Sequence, residues 1–163
     1  MNIARRTKPG EGAISSRFCP QGKTVDKHWK TVVTKPDGLR SARTDARNFL
    51  LRNSVSPTCS DKIVLTLSEL LSNAITGLAS GGLVTAELNC RRPHLVTLMV
   101  MNDLLDEWPR LPGSVGSMPP PEVPHGRGLP LVAALADRLS IDTCPGTMRV
   151  WADFVRKPFV VAL

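Results

Sequence analysis

The sequence lacks the long apolar runs of a membrane protein and the cysteine spacing of a zinc or disulfide-stabilised protein. No apolar stretch approaches the roughly 20 residues needed to span a bilayer, and no apolar block of a secretory signal follows the basic segment 1–10. The four cysteines are irregularly spaced, with no Cys-x-x-Cys and no paired histidines nearby. We therefore expect a cytoplasmic protein whose thiols are incidental and bind no metal.

Positive charge is concentrated at the N-terminus. The chain has 163 residues, 42% of them hydrophobic, and a mean hydropathy of -0.05, which fits one domain with an ordinary core. Residues 1–30 contribute +5 of the net charge of +7. We interpret residues 1–27 as a flexible basic arm, which is either simply solvated or contacts nucleic acid or an acidic protein. The remainder has no helix-turn-helix pattern, which disfavours a nucleic-acid partner.

Apolar periodicity predicts the order β-α-α-β-β-loop-α-β-β. The predicted elements are a strand over 28–35, a helix capped by Asp37 and ending near Asn53, a helix capped by Ser60 or Asp61 and ended by Ser80–Gly82, strands over 83–90 and 95–101, a helix over 128–138, and strands over 139–143 and 147–155. Residues 102–126 hold six prolines and three glycines, which indicates a functional lid. This order favours a layered α+β domain with a mostly antiparallel sheet.

Glu69 and Asn73 are four residues apart in the second predicted helix. Residues at this spacing are neighbours on a helix, so the two side chains project together at the border of the apolar stripe, partly sheltered. A carboxamide oxygen suits Mg²⁺, and a carboxylate beside it can orient or deprotonate an attacking hydroxyl. Taken alone, the pair is also typical of an ordinary polar helix edge.

A glycine-rich segment, Gly126-Arg127-Gly128, begins the third predicted helix. Glycines let the backbone approach a phosphate closely, helix-start N–H groups face the anion, and Arg127 adds a cation. The segment is neither a Walker loop nor a dinucleotide fingerprint. Between the two segments a strand ends in Asn102-Asp103, where a carboxylate could accept a hydrogen bond from an adenine amine. Both residues are also favoured in a turn that follows a strand.

The ordered set of Glu69-Leu-Leu-Ser-Asn-Ala74, a strand followed by Asp103, and Gly126-Arg-Gly-Leu-Pro-Leu-Val-Ala-Ala-Leu-Ala-Asp137 resembles a known ATPase family. It is similar to the ATPase fold of histidine kinases, gyrase-type ATPases and mismatch-repair proteins, and most similar to actinobacterial anti-sigma-factor serine kinases. The resemblance covers roughly residues 30–156. It implies a two-layer sandwich with helices on one face of the sheet.

The resemblance also implies roles for single residues. Asn73 would hold the Mg²⁺ that bridges the ATP phosphates, and Glu69 would be the catalytic base. The phosphate cradle would be formed by Gly126, Arg127, Gly128 and Leu129, and Asn102 or Asp103 would read adenine. Members of this family phosphorylate a serine on a small antagonist protein and sequester a sigma factor, usually as homodimers.

The chain departs from the family pattern at the adenine end. The family motif normally runs Asp-x-Gly, whereas this chain has Asn102-Asp103-Leu104-Leu105 and no glycine. The prediction is thus an ATP-dependent serine kinase and anti-sigma-type regulator spanning residues 28–157, with a short tail over 158–163. The alternative is a degenerate module of the same fold that binds a partner with weak or no ATP turnover.

Overall fold

A computed structural model describes residues 25–76, 78, 82–103, 128–144 and 146–156. In these ranges a five-stranded antiparallel sheet is covered on one face by three helices, which confirms the predicted α+β sandwich. The elements are β1 (His28–Val33), α1 (Gly38–Arg52), α2 (Pro57–Thr76), β2 (Val84–Asn89), β3 (Leu95–Asp103), α3 (Gly128–Leu135), β4 (Arg138–Cys144) and β5 (Thr147–Val155).

The strand order is β1-β2-β3-β5-β4, and every neighbouring pair is antiparallel. The central strand β3 alternates between half-buried and buried side chains, with Val96, Leu98 and Val100 on the buried face. That face packs against α2. Residue 102 continues the same alternation, so its side chain belongs to the helix-covered face.

Helix α1 begins where the sequence predicts, but the predicted cap does not form. Asp37 has helical dihedral angles (φ -60°, ψ -30°) and makes no side-chain capping bond. An N-cap side chain reaches the helix N–H groups from a β-region backbone, which Asp37 does not adopt. The chain enters the helix through a turn instead, in which the Gly38 N–H donates to the carbonyl of Lys35 at 3.1 Å.

Helix α2 begins three residues before the predicted Ser60, so neither Ser60 nor Asp61 is its cap. Pro57 occupies the first helical position, where its missing N–H costs no helical bond. The hydroxyl of Ser56 accepts a hydrogen bond from the Cys59 N–H at 3.4 Å. Asp61 lies within the helix and pairs with Arg47 of α1 at 2.6 Å.

Three further boundaries bear on the site. Strand β3 runs through Asp103, so the first two residues of the predicted lid belong to the sheet. Helix α3 ends at Leu135, and Arg138 begins β4. Residues 104–126 of the predicted lid, and residues 80–81 of the predicted end of α2, lie outside the described residues.

The core lies between the helices and the sheet and is dominated by aliphatic side chains with Phe49 and Phe154. Burial raises the pKa of the Cys59 and Cys90 thiols, which keeps them weak nucleophiles near neutral pH. Asp26 and Lys27 bond to the folded part through their carbonyls. No helix in the described ranges is long and apolar enough to cross a bilayer.

Candidate functional site

Helix α2 presents Glu69 and Asn73 one turn apart, beside its buried stripe of Leu67, Leu70 and Ala74. Glu69 is half-buried, whereas Asn73 is exposed. The sequence predicted that both would be partly sheltered, and this holds only for Glu69. Because Asn73 is exposed, its carboxamide is accessible to a ligand.

Gly128, the described residue of the glycine-rich segment, lies against this pair. A Cβ atom added to Gly128 would lie 2.6 Å from Asn73 Nδ2 and 3.2 Å from Glu69 Oε2. Real Cβ atoms essentially never approach another heavy atom within 3.0 Å. The start of α3 therefore lies directly against the two polar side chains, at a distance that only glycine permits without displacing Asn73.

Helix α3 offers backbone donors at the same place. The first N–H groups of a helix have no partner within the helix and form its positive end, which favours an anion. The side chain of Leu129 packs against the core, so this residue can contribute only its backbone to a phosphate. Gly126 and Arg127 lie outside the described residues.

Asn102 and Asp103 lie on opposite faces of the sheet. Asn102 is 2% exposed on the helix-covered face, while Asp103 is exposed. Asn102 pairs in register with Val84 of β2 and Met148 of β5, both buried. Among the described residues, Asn102 Nδ2 has no hydrogen-bond partner, which is unusual for a buried polar atom.

Chain connectivity relates Asn102 to the polar pair on α2. Strand β2 begins at Val84, shortly after α2 ends at Thr76, and Val84 lies opposite Asn102 on β3. Asn102 therefore lies at the end of the sheet where β2 begins, and the chain reaches this end from the C-terminus of α2, the helix that carries Asn73. Gly128 at the start of α3 completes the arrangement from the helix layer.

The donor set fits a metal-bound nucleotide. The described residues contain no group of three or more His, Cys, Asp or Glu side chains that could hold a metal ion. A Mg²⁺ ion beside Asn73 would accordingly take most of its ligands from phosphate and water, as Mg²⁺ commonly does. The close backbone at Gly128 suits phosphate, and the unpartnered Asn102 amide suits a hydrogen-bonding base.

The structure reveals one further buried polar residue on α2, which no sequence pattern identifies as functional. Thr66 of α2, three residues before Glu69, is fully buried, and its Oγ1 has no partner in the described part of the chain. A threonine inside a helix usually bonds the carbonyl four residues back, so its sequence position marks nothing unusual.

Solved structures of other proteins share this fold, among them two of different kinds. The RsbU and RsbW domains of Rv1364c from Mycobacterium tuberculosis match with a TM-score of 0.53 and 18% identity over 80% of this chain and 33% of that one. This chain thus spans about a third of that protein's length. The catalytic domain of the histidine kinase ThkA, in a nucleotide-free form, matches with a TM-score of 0.51 and 13% identity, over 80% of this chain and 99% of that one.

No curated protein matches the chain significantly. A family model does: that of the histidine kinase-like ATPase domain matches residues 32–154, from within β1 to the end of β5. The matched range includes Glu69, Asn73, Asn102 and Gly128. Since it covers most of the 163 residues, the chain belongs to the histidine kinase-like ATPase domain family.

Proposed function

We propose that the chain binds Mg-ATP at the site formed by Glu69, Asn73, Gly128 and Asn102 and transfers the γ-phosphoryl group to a serine of a partner protein. The observation that carries the proposal is the approach of Gly128 to Asn73 and Glu69. It joins two segments that are remote in sequence, each of which is weak evidence alone. Membership of an ATPase family supports the proposal that the ligand is a nucleotide.

Each residue has a distinct part in this proposal. The Asn73 carboxamide oxygen is a Mg²⁺ ligand, and the backbone at Gly128 receives phosphate oxygens. Bound ATP would supply the phosphoryl group, and its Mg²⁺ would neutralise part of the charge on the phosphates. The Glu69 carboxylate accepts the proton of the serine hydroxyl as the new O–P bond forms, while the bond to the departing ADP breaks.

The partner proteins follow from the motif resemblance. The Glu69–Ala74 and Gly126–Asp137 segments resemble those of anti-sigma-factor serine kinases, so we assign the acceptor serine to a small antagonist protein and the sequestered partner to a sigma factor. A homodimer and a cytoplasmic setting belong to the same proposal.

Phosphotransfer with two variants tests these roles. The chain is incubated with Mg-ATP labelled at the γ-phosphate and with candidate antagonist proteins encoded beside it. We expect labelled phosphoserine with wild type. Glu69→Gln should retain nucleotide binding and lose transfer by on the order of 100-fold or more, because only the proton acceptor is removed. Asn73→Ala should weaken nucleotide binding and reduce transfer. Transfer unchanged in Glu69→Gln would overturn the role of the base.

A second candidate function has one observation in its favour. The helix-covered face at the adenine end carries the neutral amide of Asn102, whereas the family pattern has a carboxylate there. A chain that has lost nucleotide binding would act only as a partner-binding module. Calorimetry decides between the two functions, because such a module takes up no Mg-ATP even at millimolar concentration.

A further inference from the structure

Asn102 is a buried polar residue with an unused donor. Its side chain is 2% exposed at the end of the buried row formed by Val96, Leu98 and Val100. Within the described residues, its Nδ2 donates to nothing. A buried donor without a partner is destabilising, so an acceptor on a bound ligand would recover a bond that the protein leaves unmade.

Asn102 lies in a different layer of the sandwich from the residues proposed to face the phosphates, which assigns its donor to the base in the proposed site. Asn73 and Gly128, which are proposed to face the phosphates, belong to the helix layer, whereas Asn102 belongs to the sheet. Exposed Asp103 points away from the helix-covered face, so it offers no carboxylate there. The base therefore meets a carboxamide.

A carboxamide and a carboxylate select different purines. A carboxylate only accepts hydrogen bonds, so it pairs with the 6-amino group of adenine and repels the 6-oxo group of guanine. A carboxamide carries one accepting oxygen and one donating nitrogen, and a half-turn of its last torsion exchanges them. It can therefore accept from the 6-amino group and donate to a ring nitrogen of adenine. After the half-turn it can donate to the 6-oxo group and accept from the N1–H of guanine.

We infer that Asn102 makes this a dual-purine site, which takes 6-amino and 6-oxo purine nucleoside triphosphates with comparable affinity. The inference rests on the proposed nucleotide binding and deepens it by naming the substrate class. Asn102 acts as the specificity-determining residue, and its Nδ2 finds a partner with either purine.

Calorimetric titration of wild type with the Mg complexes of ATP, GTP and inosine triphosphate tests the inference. We expect the three dissociation constants to agree within about 10-fold, because each purine satisfies both atoms of the amide. Inosine triphosphate separates the 6-oxo group from the 2-amino group of guanine. Mg-CTP is the control for binding through the phosphates alone and should bind more weakly than all three.

The Asn102→Asp variant should differ from wild type in its purine selectivity. The carboxylate should restore preference for ATP over GTP and inosine triphosphate by on the order of 100-fold, because a buried acceptor then faces the 6-oxo group. If this variant does not fold, Asn102→Ala replaces it, and this variant should weaken ATP and GTP equally. The titrations of wild type with the three purine triphosphates test the inference even if neither variant folds.

The outcomes are distinct. Wild type that binds ATP but rejects GTP and inosine triphosphate by 100-fold or more overturns this inference and leaves the proposed function standing. Wild type that binds no purine triphosphate at millimolar concentration overturns both. Comparable binding of all three, with selectivity appearing in Asn102→Asp, establishes the dual-purine site.

Discussion

At the scale of single residues, Gly128 is the point of contact between the two halves of the site. Its replacement by alanine would place a Cβ atom 2.6 Å from Asn73 Nδ2. The flexible Asn73 side chain must then move away from the position in which it is proposed to bind Mg²⁺. We expect Gly128→Ala to weaken Mg-ATP binding about 10-fold, which corresponds to about 1.4 kcal/mol, while the domain stays folded. Calorimetry measures the first effect and circular dichroism the second.

Gly146 provides the matched control. It has a φ of +76°, and a Cβ atom there would meet nothing within 4 Å. Gly146→Ala should therefore lower the free energy of unfolding by roughly 1 kcal/mol through backbone strain and leave nucleotide affinity unchanged. Equal affinities in wild type and Gly128→Ala would contradict the close approach at the site.

The sequence predicts part of this arrangement because helical spacing is a local property. The adjacency of Glu69 and Asn73 follows from their separation by four residues. Their meeting with Gly128 depends on how α3 packs against α2, which no local pattern encodes. Which of Asn102 and Asp103 lies on the helix-covered face depends on where β3 ends, since strand alternation decides the face only where the strand continues.

At the scale of elements, hydrogen bonds connect the C-terminal end of α1 to the residue that follows β5. Arg156, just after β5, donates to the carbonyls of Asn53 and Ser54 at 2.6 and 3.2 Å. Asn53 in turn bonds the carbonyls of Phe49 and Asp26 through its side chain. Ser54 adopts a φ of +55°, a left-handed conformation that disfavours side chains with a Cβ atom.

Replacement of Ser54 tests this junction. Ser54→Gly should raise the free energy of unfolding by about 0.5 kcal/mol, because relief of left-handed strain exceeds the entropy that glycine adds to the unfolded chain. Ser54→Val should lower it, since a β-branched side chain tolerates this backbone poorly. Urea unfolding measures both variants, and a glycine variant less stable than wild type would contradict the account.

The strand pair β1–β2 has a pH-dependent contact. Glu87 of β2 receives hydrogen bonds from Lys30 at 3.0 Å and from His28 at 3.3 Å. Burial alone would raise the pKa of Glu87, but these two bonds outweigh it and hold the pKa below its ordinary value of 4.5. The ionised carboxylate thus stabilises the fold above pH 4.5, and this contribution is lost as the pH falls through the lowered pKa.

We expect Glu87→Gln to lose about 0.2–1 kcal/mol of unfolding free energy near neutral pH. The difference from wild type should shrink when unfolding is measured at successively lower pH below 4.5. Lys30→Gln in the Glu87→Gln background should cost less than it does in wild type. A difference that stays constant down to pH 3 would rule out the ionised carboxylate as its source.

The element boundaries show where sequence patterns fall short. The sequence predicts acidic or hydroxyl caps for α1 and α2, yet Asp37 makes no capping bond and α2 begins at Pro57. The stronger signal for α2 was proline at the first helical position, preceded by Ser56. For Asp37 the sequence cannot show that the preceding turn already places the residue in a helical conformation.

At the scale of the whole molecule, the order of elements was predictable and the order of strands was not. Hairpins β2–β3 and β4–β5 follow from apolar runs separated by short turns. The pairing of β3 with β5 joins segments separated by the predicted lid and α3, and it aligns Asn102 with Met148. Such non-local pairing depends on the packing of the complete sheet rather than on the pattern of any one segment.

Because the proposed ligand contacts both layers, its binding should stabilise the complete domain. At 100 times the dissociation constant, Mg-ATP should add about 2.7 kcal/mol to the unfolding free energy. For a domain of this size that raises Tm by on the order of 5–10 °C. Thermal unfolding with and without Mg-ATP measures the shift, which Asn73→Ala should reduce at the same nucleotide concentration.

The most direct measurement is a calorimetric titration of Mg-ATP into wild type, Asn73→Ala and Ser72→Ala. Ser72 is an exposed neighbour on the same helix, so its variant controls for the loss of a polar surface group. We predict binding by wild type and Ser72→Ala with equal affinity, and binding at least about 10-fold weaker by Asn73→Ala. No uptake by wild type at millimolar Mg-ATP, or equal affinity in Asn73→Ala, would contradict the proposed site.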